Sequence, residues 1–339
     1  MSPDLSLIIY SIRILGVWEL IACLLGVPLN LFALYLTIHL IRNYQANNNR
    51  WFILGMCLAD LLFTCAHSPI SFARYFLKYT LNPVWCKILF ITTHTSTVAS
   101  SLNLLWLNCD KFVYMNKPLH YHFIITKRRS IFLSLISWLI SIGWSMLFVF
   151  GPFNEWADRC QVDTIDNIWL YITFAVAFFV LPTFASLLIS IYVATVALHA
   201  RNRDSYERRV IRRADDPNWV RSSRASRWRT ITFVFTTTIW SACTCLPYRF
   251  AYIMHTLKVV PQTCTYLAIH FILLGLLAAN AVGNPIITIL TQSLYRMKAR
   301  QIFGFGRARR RGGATSDRVG NNEWSSSYSS VSAMQVVKL

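Results

Sequence analysis

The segment Leu107–Tyr121, LNCDKFVYMNKPLHY, marks the point where a long uncharged stretch of the chain meets an acid. Residues 88–109 contain no Asp, Glu, Lys or Arg, and Asp110 and Lys111 then follow side by side. About 20 apolar residues are enough to cross the hydrocarbon core of a bilayer as a helix. The segment therefore predicts the end of a membrane-spanning helix, followed after Pro118 by a polar turn.

Six other stretches of the chain are similarly apolar. With 55% hydrophobic and 14% charged residues over 339 positions, the chain is too apolar for an ordinary soluble domain. We expect an all-α membrane protein, a seven-transmembrane helix bundle. Its predicted spans are Leu20–Ile41, Trp51–Ala73, Ile88–Cys109, Ile131–Asn154, Asn167–Ala200, Thr230–Leu257 and Val259–Tyr295.

The basic residues predict the orientation of these spans. Lys and Arg number 33 against 14 acids, and they concentrate in Arg201–Arg229 and in residues 296–311. Cytoplasmic loops carry such an excess, so the N-terminus is expected outside and the C-terminus inside a plasma membrane. Because these basic segments flank apolar helices, we expect membrane lipids rather than nucleic acid as their partner.

The remaining segments complete the predicted organisation. Residues 1–13 have no basic signal-peptide region and are expected to form a short extracellular N-terminus before the seven-helix bundle over residues 14–291. Residues 292–303 alternate apolar and basic side chains, which predicts a short amphipathic helix on the membrane surface. The hydroxyl-rich residues 304–339 are typical of a disordered cytoplasmic tail.

Two charged residues fall within the predicted spans, Asp60 in the second and Arg249 in the sixth. A charge in a membrane is costly and needs partners or water. For Asp60 the expected partners are Ser100, Asn280 and Asn284, whose hard oxygen atoms could hold a sodium ion. The alternative is a hydrogen-bonded cluster without an ion. We expect no other cofactor.

Taken in order, these residues resemble the rhodopsin-like (class A) G-protein-coupled receptors over Leu20–Phe303. Lys111 follows Cys86 by 25 residues, as the family's arginine follows its cysteine. The matching positions are Asn30, Asp60 in Leu58-Ala59-Asp60-Leu61-Leu62, Cys86, Asp110-Lys111-Phe112 in place of Asp-Arg-Tyr, Trp138, Pro182, Cys245-Leu246-Pro247-Tyr248, and Asn284-Pro285-Ile286-Ile287-Thr288 in place of Asn-Pro-x-x-Tyr.

The resemblance implies a set of roles for individual residues. It implies a disulfide between Cys86 and Cys160, and it favours the sodium interpretation of Asp60. An extracellular ligand, a heterotrimeric G protein and arrestin are the implied partners. The implied coupling residues are Asp110 and Lys111, with Leu119 entering a cleft on the G protein.

The chain also departs from the family at its switch positions. Lys111 replaces the arginine and lacks its planar fork of donors. Cys245 replaces a tryptophan and Thr288 a tyrosine, while Pro247 and Pro285 keep the family's helix kinks. These changes predict a divergent receptor with an unusual activation route, or a receptor-like protein with weak G-protein coupling.

Residues in the outer half of the predicted bundle indicate which kind of ligand to expect. Thr93 stands where amine receptors carry an aspartate, and the seventh span has no lysine for retinal. Arg249 could bind a carboxylate, and a peptide is the predicted ligand; an internal pair with Glu19 or an outer-loop acid is the alternative. The other predicted lining residues are Tyr248, Tyr252, Thr93, His94, Thr97 and His270.

Two other classes of function compete with a receptor. A transporter or channel could use Asp60 and Arg249 as an ion path, but only one intramembrane acid is present rather than a relay. A membrane enzyme would need a nucleophile or metal motif. The chain has no Gly-x-Ser-x-Gly or His-Glu-x-x-His and no paired intramembrane aspartates, so we expect no catalysis.

Overall fold

The computed structural model describes residues 3–43, 48–150, 168–210, 218–257, 259–261 and 263–303. Seven long helices and one short one occupy them, with a single helical turn at Tyr121–Ile124. The helices are α1 (Pro3–Asn43), α2 (Arg50–Tyr75), α3 (Pro83–Asn116), α4 (Lys127–Phe150), α5 (Ile168–Ala175, Val176–Val180 and Leu181–Val210), α6 (Asn218–Thr256), α7 (Cys264–Thr291) and α8 (Ser293–Ile302).

Five of these helices are long and apolar enough to cross a membrane within the described residues, namely α1, α2, α4, α5 and α7. The other two long helices are more polar. α3 carries many Thr, Ser and Asn residues, and α6 begins in the Arg-rich segment. Both nevertheless pack within the helix bundle, α3 against α2, α4 and α5, and α6 against α5 and α7.

Some of the observed helices are longer than the predicted spans, and others agree with the predicted bounds. α1 begins at Pro3, so most of residues 1–13 are helical, because the apolar pattern of the first span continues backward through Leu5–Trp18. α5 continues to Val210, beyond the predicted end of the fifth span at Ala200. α6 begins directly after Pro217, and α8 has the predicted position. Residues 304–339, predicted to form the tail, lie outside the described residues.

Two helices contain a π-helical turn, which inserts one extra residue into the helical repeat. One turn occupies Phe63–His67 in α2, and the other occupies Val176–Val180 in α5. Such turns shift the face on which the following side chains point. Here they bring His67 and Phe179 into the polar clusters described below.

A row of serines joins α4 to α3. Ser134 donates a hydrogen bond to Oδ1 of Asn103 at 2.8 Å, and Trp106 donates to Ser137 at 3.0 Å. Further along, Thr95 donates to Ser145 at 2.9 Å. Small hydroxyl side chains let membrane helices approach closely and bond across the contact, and this row holds α3 at the centre of the bundle.

α1 is bonded to the last two helices at three levels. Trp18 donates to the carbonyl of Gly275 at 2.8 Å, and Asn30 donates to that of Ala281 at 3.0 Å. At the far end, the Tyr295 hydroxyl of α8 lies 3.0 Å from that of Thr37. Burial raises the pKa of the Tyr295 phenol, so it stays protonated and hydrogen-bonded.

The outer surface of the bundle is strongly apolar. Leu24, Leu139 and Leu188 expose 64%, 68% and 65% of their surface, while Asn30, Asn103 and other polar residues are fully buried. This arrangement reverses that of a soluble protein and is typical of a helix bundle surrounded by lipid.

Candidate functional site

Arg249 of α6 is the most deeply buried cation of the bundle's upper half, the half farther from α8, with 2% of its surface exposed. Its Nη2 donates to the Thr97 hydroxyl of α3 at 3.0 Å, and the guanidinium lies 3.7 Å from the ring centre of Phe179. Nε has no hydrogen-bond acceptor, and no acid within the described residues is paired with Arg249. A buried guanidinium with unused donors is suited to binding an anion.

Aromatic side chains surround this guanidinium. The ring of Tyr248 lies 5.4 Å from it, and Tyr248, Tyr252 and His270 lie with ring centres 5.2 to 6.1 Å apart. His94 stacks on Phe90 at 3.7 Å. Two of the predicted ligand residues, Thr97 and Tyr248, contact Arg249 directly. Tyr252 and His270 pack on Tyr248, and His94 shares with Arg249 a contact to Phe179.

Thr93, the other predicted ligand residue, faces a second polar cluster. Its hydroxyl lies 2.5 Å from Nδ1 of His67, whose Nε2 is 3.1 Å from Ser71 and 3.7 Å from the carboxylate of Glu19. Glu19 is fully buried, and neither of its oxygens accepts a hydrogen bond. Glu19 therefore pairs with His67, not with Arg249 as the alternative interpretation held.

Sequence reasoning did not identify His67 as a site residue. A lone histidine in an apolar helix gives little signal, and the π-helical turn that ends at His67 changes its direction. The two clusters are adjacent along α3, because Thr97 donates to the Thr93 carbonyl at 2.7 Å.

Asp60 lies at the centre of the bundle with 3% of its surface exposed. Its two oxygens accept hydrogen bonds from Ser100 at 3.2 Å and from Asn284 at 2.9 Å. Asn280, the third predicted partner, instead accepts from Thr244 of α6 at 3.3 Å. Oδ1 of Asn284 is buried and accepts no hydrogen bond, which leaves a hard oxygen beside the carboxylate.

The switch positions lie around this network. Pro247 and Pro285 are inside α6 and α7, and Thr288 donates to the Asn284 carbonyl at 2.8 Å. Cys245 is half-buried against the core between α1 and α7. Although Cys245 replaces the family's tryptophan, another tryptophan lies in the same helix: Trp240 of α6 packs directly against Gly283 of α7.

At the end of the bundle near α8, Asp110 joins α3 to the following turn. Its carboxylate lies 2.5 Å from Nζ of Lys111 and accepts from the Tyr121 hydroxyl at 2.7 Å. Both charged residues are buried, whereas Leu119 exposes 63% of its surface. Of the predicted coupling residues, Asp110 and Lys111 thus form a buried ion pair, and Leu119, which follows them in the chain, is an exposed apolar side chain.

Two uncharged residues connect α3 to α6 one turn deeper. Asn108 donates to the Thr238 hydroxyl at 3.0 Å, and both side chains are buried. Sequence reasoning missed this amide–hydroxyl contact, because uncharged residues give no charge signal.

The cysteines divide into bonded and free. Cys86 is disulfide-bonded, and Cys160, its predicted partner, lies outside the described residues. The free cysteines are Cys23, Cys57, Cys65, Cys109, Cys243, Cys245 and Cys264. Across the described part of the chain, no group of three or more His, Cys, Asp or Glu residues is placed to hold a metal ion.

A bundle of seven long helices with a lipid-type surface, a central carboxylate network and a buried outer cation defines a class of membrane receptor. The family model described as 7 transmembrane receptor (rhodopsin family) matches residues 29–287. The chain belongs to this family, and it is a G-protein-coupled receptor that spans the membrane several times. The family implies a ligand and a G protein as partners.

Similar proteins agree with this family. The G-protein coupled receptor aex-2 of Caenorhabditis elegans is 26% identical over 293 residues, which are 84% of this chain and 82% of that protein. The histamine H1 receptor of Homo sapiens is 26% identical over 195 residues, 55% of this chain and 39% of that receptor. The alpha-1A adrenergic receptor of Oryzias latipes is 27% identical over 114 residues, covering 33% and 23% of the two chains.

Proposed function

We propose that this receptor is activated by an extracellular ligand with an anionic group, a peptide whose carboxylate binds Arg249. The supporting observation is the buried guanidinium, whose Nε has no acceptor and which is paired with no described acid. An unpaired buried charge is expensive, so a carboxylate that reached it would gain a charge-assisted pair. Tyr248, Tyr252 and His270 supply the aromatic wall for the rest of the ligand.

Amine ligands are not favoured by the same geometry. The Thr93 hydroxyl is already engaged with His67, and the carboxylate of Glu19 lies against that same histidine. The similarity to histamine and adrenergic receptors therefore supports the family but not their ligands.

The proposed topology places the N-terminus outside the plasma membrane and the ion pair of Asp110 and Lys111 in the cytosol. There a heterotrimeric G protein, and after it arrestin, would bind, with Leu119 as the apolar contact. The support is the high exposure of Leu119 beside the buried ion pair.

We also propose that Asp60 holds sodium. The groups that would bind the ion are the Asp60 carboxylate, the Ser100 hydroxyl and the buried Asn284 oxygen that accepts no hydrogen bond. These are the hard oxygen donors that such an ion takes. Bound sodium would neutralise a carboxylate in the low-dielectric interior.

Replacing Arg249 by Gln tests the ligand proposal. Cells that express the receptor are screened with carboxylate-bearing peptides and their C-terminal amides, and G-protein activation is recorded. Loss of a charge-assisted hydrogen bond costs about 1.5–3 kcal/mol, so the potency of an active peptide should fall by about 10- to 150-fold. Arg249→Lys should recover part of it.

The matched control is Phe250→Leu, the neighbouring position, which is 45% exposed. It should leave potency unchanged. If Arg249→Gln reaches the cell surface and responds with wild-type potency, or if an active peptide and its amide are equipotent, the proposed role of Arg249 is wrong.

A further inference from the structure

A cavity of about 480 Å³ lies at the end of the bundle opposite α8, between α1 and the segment that follows α2. The wall from α1 consists of Ile9, Ile12 and Arg13. The opposite wall is formed by Arg74, Tyr75, Lys78, Tyr79, Thr80 and Leu81. No lining residue belongs to the Arg249 cluster, so this is a separate space.

Three of the nine described lining residues are cations, and none of those nine is an acid. Arg13 comes from α1, whereas Arg74 and Lys78 come from the end of α2 and the turn after it, yet all three line one cavity. Like charges that share a small concave space repel one another, and they concentrate a positive potential that attracts an anion. Arg74 also lies 5.5 Å from the ring centre of Tyr75, so its charge is held beside an aromatic surface.

Lys78 has an unusual backbone. Its φ of 55° lies in the left-handed region, where glycine is the usual residue, and the amide of Tyr79 donates to the Ala73 carbonyl at 3.0 Å to complete the turn. The chain thus keeps a long cationic side chain at a position whose backbone favours glycine.

The rest of the lining is apolar or aromatic. Ile9, Ile12 and Leu81 provide aliphatic surface, and Tyr75 packs edge-on to Phe271 of α7 at 5.8 Å, which fixes one ring. The volume is within the range of small-molecule sites, about 300–1,000 Å³. We propose that this cavity is a second binding site, for an anion such as a phosphate or carboxylate carried on an apolar or aromatic body.

The probe is 1-naphthyl phosphate, with 1-naphthol as the uncharged match. Binding is measured by equilibrium dialysis to the full-length receptor in phosphatidylcholine nanodiscs. Wild type should bind the phosphate and bind naphthol at least tenfold more weakly. Lys78→Gln and Arg13→Gln should each lower phosphate affinity by about tenfold, because each removes one charge-assisted contact.

Three controls separate charge from folding. Lys78→Gly removes the charge and suits the backbone, so it should lose affinity while the thermal stability stays the same or rises. Lys78→Arg should keep the affinity. Lys87→Gln removes a cation of α3 that lies over Phe150, outside the cavity, and should have no effect.

Both a free anion and a lipid headgroup have the required chemistry. If phosphatidylglycerol in the nanodisc displaces naphthyl phosphate from wild type, a lipid is the occupant; if it does not, the occupant is a soluble anion. Equal binding of naphthyl phosphate to wild type and Lys78→Gln would overturn the site. Loss of binding in Arg249→Gln alone would also overturn it, while leaving the proposed function intact.

Discussion

At the scale of single residues, the receptor's chemistry depends on where each buried charge finds its partner. Glu19 lies beside His67, Asp60 accepts from two amide or hydroxyl donors, and Asp110 holds Lys111. Arg249 alone among these is left with a neutral acceptor. No acid within the described residues is paired with Arg249, and a charge without a counter-charge in a membrane is expensive to keep, so its burial supports the proposed role of Arg249 in ligand binding.

Asp60→Asn tests the sodium site without any ligand. A bound ion stabilises the folded state by mass action, so replacing choline chloride by sodium chloride at equal ionic strength should raise the melting temperature of purified wild type. Asp60→Asn keeps the hydrogen-bonding shape but loses the charge, and its melting temperature should not respond. A wild type that is equally stable in both salts would show that the cluster works without an ion.

Lys111→Arg tests whether the ammonium limits coupling. Arginine can keep the pair with Asp110 and adds a planar fork of donors toward a G-protein backbone. Ligand-stimulated nucleotide exchange should therefore increase at matched surface expression. Unchanged exchange would mean that lysine is as effective here as the family's arginine.

At the scale of helices, close contacts of small residues set the positions of the site residues. Gly55 of α2 sits against the bond between Ser134 and Asn103: an added methyl group would lie 2.5 Å from Oδ1 of Asn103 and 2.6 Å from the Ser134 hydroxyl. α2 carries Asp60 and His67, and α3 carries one partner of each, Ser100 and Thr93. The approach of these two helices therefore decides whether both polar clusters form.

Gly55→Ala should destabilise the receptor by about 1–3 kcal/mol, because it overpacks this contact. Gly143→Ala is the matched control, since nothing lies within 4 Å of the added methyl group, and alanine favours a helix by up to about 1 kcal/mol. Thermal unfolding of the purified receptors measures both. Equal melting temperatures would mean that α2 can shift without cost.

The number and type of the helices were predictable from the sequence, because an uncharged run that is long enough to cross a membrane has few possible structures other than a helix. Two of the three partners predicted for Asp60 through the family's motifs, Ser100 and Asn284, donate to it, whereas Asn280 accepts from Thr244.

His67 and Thr238 could not be predicted. His67 depends on a π-helical turn that no residue pattern announces, and Thr238 is one hydroxyl among several in α6. α1 begins before the first predicted span because Arg13 and Glu19 interrupt the apolar run ahead of Leu20, although the residues around them are apolar enough to continue the helix.

At the scale of the whole molecule, α3 and α6 are hydrogen-bonded toward both ends of the bundle. Thr97 and Arg249 join these helices at the proposed ligand site, and Asn108 and Thr238 join them near the proposed coupling surface. No ionic contact involving Lys111 joins them in the described residues. The amide–hydroxyl contact is therefore positioned to hold α6 against α3 in the resting receptor.

Thr238→Val removes the hydroxyl and keeps the shape of the side chain. A hydrogen bond contributes about 0.5–1.5 kcal/mol, so ligand-independent signalling should rise by about 2- to 12-fold. The control is Thr237→Val, because the Thr237 hydroxyl donates within its own helix to Phe233 at 2.8 Å. If both variants signal at the wild-type basal level, the contact does not restrain α6.

The most direct measurement is G-protein activation by a carboxylate-bearing peptide in cells that express wild type or Arg249→Gln at equal surface density. The account predicts a response in wild type, a potency lowered by about 10- to 150-fold in the variant, and a similar loss when the peptide's carboxylate is amidated. A response of equal potency in both receptors would contradict it.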